Sequence, residues 1–233
     1  MDQQLETLLF GEGWPEKWLD LIERMAIGLK ETGSFLSLIG HCVGSDRKSG
    51  VSIGGHGSDE AVGVATLMRS CASLVVMIKS AAVADECYAC ATLLRQLLEI
   101  EYLIYCFANR HKHAAEWLRA SDDERRKFWQ PRHLREAADG YFNNEHYGWH
   151  CRIGGHPTPD ANMVLNGGLE LQQLLFCDGL MHSRRVWASF EEWSKSDADF
   201  GQIWQISFKK GHELSGKLDE WFESDPARLW EGW

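Results

Sequence analysis

No stretch of this 233-residue chain alternates apolar and polar side chains with a period of two; its apolar residues recur at intervals of three and four. That pattern disfavours a half-buried sheet as the main support and favours helices packed through amphipathic faces. The expected fold is all-α: a single-domain helical bundle with two long central helices, in a chain long enough to bury a substantial core. Residues 58–196 are expected to form the core. Residues 1–57 would pack on it as N-terminal helices and a glycine-rich loop, and 197–233 as a Trp-rich C-terminal helical segment.

Local signals divide the chain further. Pro15 opens a helix with Trp18, Leu21, Ile22, Met25 and Leu29 on one side, and Gly33 is expected to close it. A second short helix follows over Ser34–Val43. Gly44–Gly57, rich in glycine and serine and carrying Arg47 and Lys48, reads as a flexible loop. Ser58-Asp59-Glu60 caps a long apolar helix, with its acids where the helix dipole favours them. Asp85 should interrupt it before a second long helix, Cys87–Arg110. Ser121-Asp122-Asp123-Glu124 is a capping box for a short helix ending at Trp129. Pro131 starts another, ending at Gly140, while Tyr141–Pro157 is aromatic, His-rich and ambiguous. Thr158 and Pro159 read as cap and first position of the next helix. Helices then run through Trp193, with a last segment over Gly201–Phe222.

Composition narrows function. A net charge of −10 is unlike the basic surplus of a free-standing nucleic-acid binder, although a local basic patch is compatible with it. Arg125-Arg126-Lys127, with Phe128, Trp129, Arg132, His133 and Arg135, is the densest basic–aromatic segment: a phosphate or base contact, or the solvated face of two short helices. Eleven tryptophans argue against disorder, and the cluster Trp221–Trp233 suits packing onto the body or a protein partner. Arg69 and Lys79 interrupt the apolar run Ala61–Ala84, so no membrane span is expected. Seven cysteines, an odd number, and the acidic, polar start Met1-Asp2-Gln3-Gln4 point to a reducing, cytoplasmic setting.

Three constellations could carry chemistry. Arg95 and Glu99, four residues apart in an apolar helix, share a face that Tyr102 and Cys106 continue; they form a buried register-setting pair or the polar wall of a cleft. Glu101 points the other way, toward solvent or another helix. In Asn143–Arg152, His146 and His150 would share a helical face and could chelate a metal ion, with Glu145, Cys151 and His156 as further donors. The default is no cofactor, the alternative one divalent ion, with Glu99 also within the candidate set. Cys87-x-x-Cys90 reads as core packing. Last, Arg152-Ile153-Gly154-Gly155-His156-Pro157 combines close backbone access, a titratable base and a cation. These are the parts of a metal-independent ribonuclease, or of a tight turn before a helix. Ile53-Gly54-Gly55-His56 repeats its core and reads as shared helix-entry grammar or as a second histidine beside an anion-binding helix start.

Arg95-x-x-x-Glu99, Phe128-Trp129-x-Pro131, Leu134-Arg135 and Gly155-His156-Pro157 together resemble a set of bacterial helical proteins related to the HEPN superfamily, the higher-eukaryote and prokaryote nucleotide-binding helical domains. The resemblance spans roughly residues 91–175. It implies a HEPN-like bundle, a ribonuclease-like or nucleotide-processing role in stress or defence, and a homodimer whose interface lies near Tyr147–Pro157. The superfamily's usual signature separates arginine and histidine by four to six residues; here three lie between Arg152 and His156. The implied catalytic set is His156 as acid/base, Arg152 as charge stabiliser, and Arg95 with Glu99 as support, acting on RNA or a nucleotide. The alternatives are a non-catalytic interaction module with a protein partner, and a metal-dependent hydrolase using His146, His150 and His156.

Overall fold

A computed structural model describes residues 16–44, 48, 57–196, 213, 216, 217, 219 and 220. Among them the chain is mostly helical, with no β-strand, as the periodicity predicts. The long helices are α1 (Glu16–Gly40), α2 (Asp59–Val83), α3 (Cys87–Ala108) and α9 (Leu169–Ser196). Between α3 and α9 run five short ones: α4 (Ala114–Arg119), α5 (Asp122–Phe128), α6 (Pro131–Ala137), α7 (Asn144–His150) and α8 (Ala161–Leu165). A π-helical turn, Cys151–Gly155, continues α7.

Helix α1 packs along α2, α2 against α3, and α9 against both α2 and α3. Their shared core holds Met25, Leu29, Met68, Ile78, Leu94, Leu97, Phe107, Phe176 and Trp187, all essentially sealed from water. Each such side chain contributes about 1.5–3 kcal/mol of burial before ordering costs. By length and composition α2 is apolar enough to span a membrane, but more than half of its most apolar stretch is buried inside this bundle. On the far side of α3, Leu98, Tyr102 and Cys106 form a smaller cluster with Leu134, Ala138 and Phe142.

The helix starts follow their local chemistry. Ser58 Oγ accepts from Ala61 N at 3.3 Å, and the Ser121–Glu124 box closes in both directions. The acids after Ser58 do more than complement a dipole. Buried Asp59 accepts from Arg119 Nε at 2.6 Å, and Glu60 accepts from Ala114 N and Ala115 N, so both tie the start of α2 to α4. Asp85 turns the chain from α2 into α3 with φ +63°.

Two expected boundaries move. Gly33 does not end a helix; α1 continues to Gly40, because at Gly33 the helix lies close to α2. A Cβ there would stand 2.8 Å from Arg69 Cγ and 3.0 Å from Met68 Cβ. Nor does Thr158 cap the following helix: its hydroxyl donates to Arg152 O at 2.7 Å, and α8 starts at Ala161. The Gly44–Gly57 loop, apart from Gly44, Lys48 and Gly57, lies outside the described residues. So do Pro15, the Ile53–His56 copy, most of Gly201–Phe222 and the Trp221–Trp233 cluster.

Candidate metal centre

Helices α7 and α9 each carry two ligand-type side chains one turn apart, His146/His150 and Asp178/His182. That spacing places each pair on a single helix face, and the two faces meet. One donor atom from each of the four residues lies within 4.8 Å of the other three. The close approaches are His146 Nε2–His150 Nε2 at 3.1 Å, His182 Nε2–Asp178 Oδ1 at 3.2 Å and His150 Nε2–Asp178 Oδ2 at 3.4 Å. Ligands about 2.0–2.1 Å from a tetrahedral zinc-like ion stand about 3.3–3.4 Å apart. The His146–His150 approach and either approach to an Asp178 oxygen therefore already have the size of edges in a coordination sphere.

Hydrogen bonding within the protein accounts for only part of this arrangement. Among the facing atoms His182 Nε2 and Asp178 Oδ2 are buried without a hydrogen-bond partner, each at ion-pair distance from its neighbour. Leaving such groups unpaired costs about 1–3 kcal/mol each. The facing Nε2 atoms of His146 and His150 satisfy one another only if one carries a proton; a cation between them would accept both lone pairs. Donor type, spacing and orphaned atoms all fit a divalent transition ion, for which imidazole is a preferred ligand.

Glu101 completes the surroundings. It sits on α3, 2% exposed, and its carboxylate binds His182 Nδ1. That contact orients Nε2 toward the other donors, the carboxylate–histidine support common behind metal-bound histidines. Of the two sequence readings of Glu101, the bond to another helix is the one observed. Arg185 Nη1, one turn beyond His182, lies 3.8 Å from Glu101 Oε1.

Electrostatics divide the histidines. Burial lowers His146 and His150 to about 4, with neighbouring imidazoles adding to the effect, so both are neutral near pH 7 and in the form that ligates a metal. Burial also opposes charge on His182, but Asp178 and Glu101 outweigh it and raise this group to about 9. Asp178 resists the upward push of burial because His182 and His150 hold its carboxyl below the ordinary range. At neutral pH His182 therefore carries a proton between Glu101 and Asp178, and an ion binding there would displace it.

The centre opens onto a cavity of about 530 Å³, reached through His146 and Asp178. Glu101 and Arg185 share its charged wall, while Leu98, Tyr102, Phe142, Met163, Leu171 and Met181 make much of the remainder. This is the size and character of a small-molecule pocket.

Of the metal ligands expected from sequence, His146 and His150 are brought together. Glu145 and His156 are exposed and stand outside the cluster, because His156 follows the π turn and Glu145 occupies the solvent side of α7. Arg95 and Glu99 pair at 2.8 Å, half-buried rather than sealed. Tyr147 Oη receives a hydrogen bond from Arg95 and donates to Glu99 Oε1 at 3.2 Å. Arg152 is exposed with Asp160 at 3.7 Å, and neither it nor His156 lines the cavity. The glycines before His156 serve α3: a Cβ on Gly154 would lie 2.4 Å from Ala91 C, and one on Gly155 2.9 Å from Arg95 Cδ. Cys87 and Cys90 are buried free thiols, in keeping with core packing.

Sequence reasoning missed Asp178, His182 and the role of Glu101. The available signal was a second i, i+4 pair of ligand-type residues, Asp178-x-x-x-His182, on a helix whose preceding turn, Leu174–Cys177, is apolar. Compared with known proteins, the chain matches no family model, and no curated protein or solved structure matches it significantly.

Proposed function

We propose that this protein holds one divalent transition ion through His146, His150, Asp178 and His182 and uses it to hydrolyse a small molecule bound in the adjoining cavity. The observation that carries this reading is the convergence of four donors, two of them orphaned, at the wall of a cavity large enough for a substrate. With four protein donors already in place, an ion here would take a further ligand by expanding to five-coordination on the cavity side, which His146 and Asp178 line. A water bound there would be acidified toward neutral pH. In hydrolysis its oxygen bonds to the electrophilic centre, the scissile bond's electron pair departs with the leaving group, and the water's proton ends on that group. The ribonuclease-like reading of His156 and Arg152 has less behind it, since both side chains are exposed and away from the cavity.

The test is metal analysis of protein purified without chelator, with Co²⁺ absorption as a second readout of coordination. About one ion per chain is expected, with tetrahedral or five-coordinate Co²⁺ bands, both lost in Asp178→Ala/His182→Ala. Turnover against a panel of esters, amides and phosphodiesters should follow metal content. Absence of both stoichiometric metal and Co²⁺ bands would overturn the centre. Full metal occupancy with no turnover across the panel would overturn the hydrolase and leave the ion structural.

A further inference from the structure

The cavity beside the metal donors has a composition that selects among ligands. Its charged groups are gathered on one wall, where Glu101, Asp178 and Arg185 lie with His146. Apart from Asn143, whose side-chain oxygen caps α7, the rest is mainly apolar: Leu98 and Tyr102 from α3, Phe142 from the segment before α7, Met163 from α8, and Leu171 and Met181 from α9. Tyr102 and Phe142 pack with ring centroids 4.1 Å apart and planes tilted by 45°, giving that side an aromatic surface. A ligand suited to this space is apolar over most of its length and polar at one end.

Charge decides what that end should be. With a divalent ion in place, the ion and the Arg185 guanidinium outweigh the carboxylates of Asp178 and Glu101 by one positive charge. A single negative charge on the ligand would neutralise the wall; a dianionic phosphate would leave an uncompensated charge in a largely apolar space, which is costly. A polynucleotide needs an open basic groove, whereas this cavity offers one guanidinium among apolar side chains.

Resting on the metal centre proposed above, we infer that the cavity binds a small hydrophobic monoanion, an aryl-alkyl or alkyl carboxylate. Its carboxylate lies at the ion beside Arg185 and its body among Leu98, Tyr102, Phe142 and Met181. The ligand would be a substrate bearing that acid or the acid released from its ester or amide.

The probe is 4-phenylbutyrate added to the Co²⁺-loaded full chain, followed by visible absorption and calorimetry. 4-Phenylbutan-1-ol, acetate and adenosine monophosphate serve as comparisons. Phenylbutyrate should perturb the Co²⁺ bands and bind at least about tenfold more tightly than the alcohol, which lacks the charge, and than acetate, which lacks the body. Met163→Trp, at an exposed position of α8 that lines the cavity outside the donor set, should retain the Co²⁺ spectrum of the free protein and weaken the response. Normal Co²⁺ bands that phenylbutyrate leaves unchanged would overturn this inference while the metal centre stands. Equal binding of the alcohol, or a response to the nucleotide alone, would also overturn it. Absence of Co²⁺ bands would overturn both readings.

Discussion

At the scale of single residues, Glu101 separates support from ligation. It does not reach the donor set, yet it holds His182 Nδ1 and is itself almost fully buried. Glu101→Gln keeps the shape and an acceptor oxygen but removes the charge that favours a well-oriented, electron-rich imidazole. Metal affinity should fall about 10- to 100-fold, read by competition with a chromophoric chelator, while far-UV dichroism stays unchanged. Unaltered affinity would remove Glu101 from the centre's working parts. The cysteines give an independent check on burial. Cys71, Cys90 and Cys106 lie sealed in the bundle, and burial raises each thiol, Cys106 to about 11. A thiol-specific reagent at neutral pH should modify exposed Cys42 quickly and these three only after denaturant is added. Rapid native labelling of Cys71 would contradict the packing of α2. Residue-scale features were legible in sequence where both partners lie within one helical turn, as with His146/His150 and Arg95/Glu99. The contact of Glu101 with His182 joins positions 81 apart, and one helix's periodicity carries no information about which face of another it meets.

Helix positions were legible in sequence because caps and breakers are local: Ser58, the Ser121–Glu124 box, Asp85 and Pro131 all act where expected. Glycine was the ambiguous letter. A glycine that stops a helix and one that admits a neighbouring backbone look alike in sequence, and Gly33 and Gly154 are of the second kind. At Gly154 the obstacle is the backbone of Ala91 and Thr92, which cannot rotate away. Gly154→Ala must therefore push the π turn off α3, at a cost of about 1–3 kcal/mol, visible as a lower denaturation midpoint. The same turn follows directly on His150, so the substitution should also weaken metal binding. At Gly148 an added Cβ would meet only Arg152 Nη1, at 3.6 Å. Gly148→Ala should leave stability unchanged or raise it by up to about 1 kcal/mol through helix propensity. The reverse order of these two effects would show that the π turn is not seated as described.

Across the whole molecule, the four donors join parts of the chain that packing alone holds unequally. Helix α9 is long and anchored against α2 and α3, whereas α7 has seven residues. A helix that short has no stability of its own. An ion shared between them would fasten the α7 segment to the bundle and close the chain between residues 146 and 182. Because only the folded chain presents the four donors together, the ion's binding free energy adds to folding stability. With free metal at about 100 times the dissociation constant the increment is about 2.7 kcal/mol. In a chain of this size that corresponds to a midpoint rise of about 5–10 °C. Scanning calorimetry with Zn²⁺ buffered above the dissociation constant, and again with excess chelator, should show that rise and its reversal. Amide exchange should slow most in residues 144–155. In His150→Ala/His182→Ala the two scans should superimpose. A midpoint indifferent to metal in the native chain would mean that the convergence of α7 and α9 is held by packing alone, and the centre would lose its link to the fold.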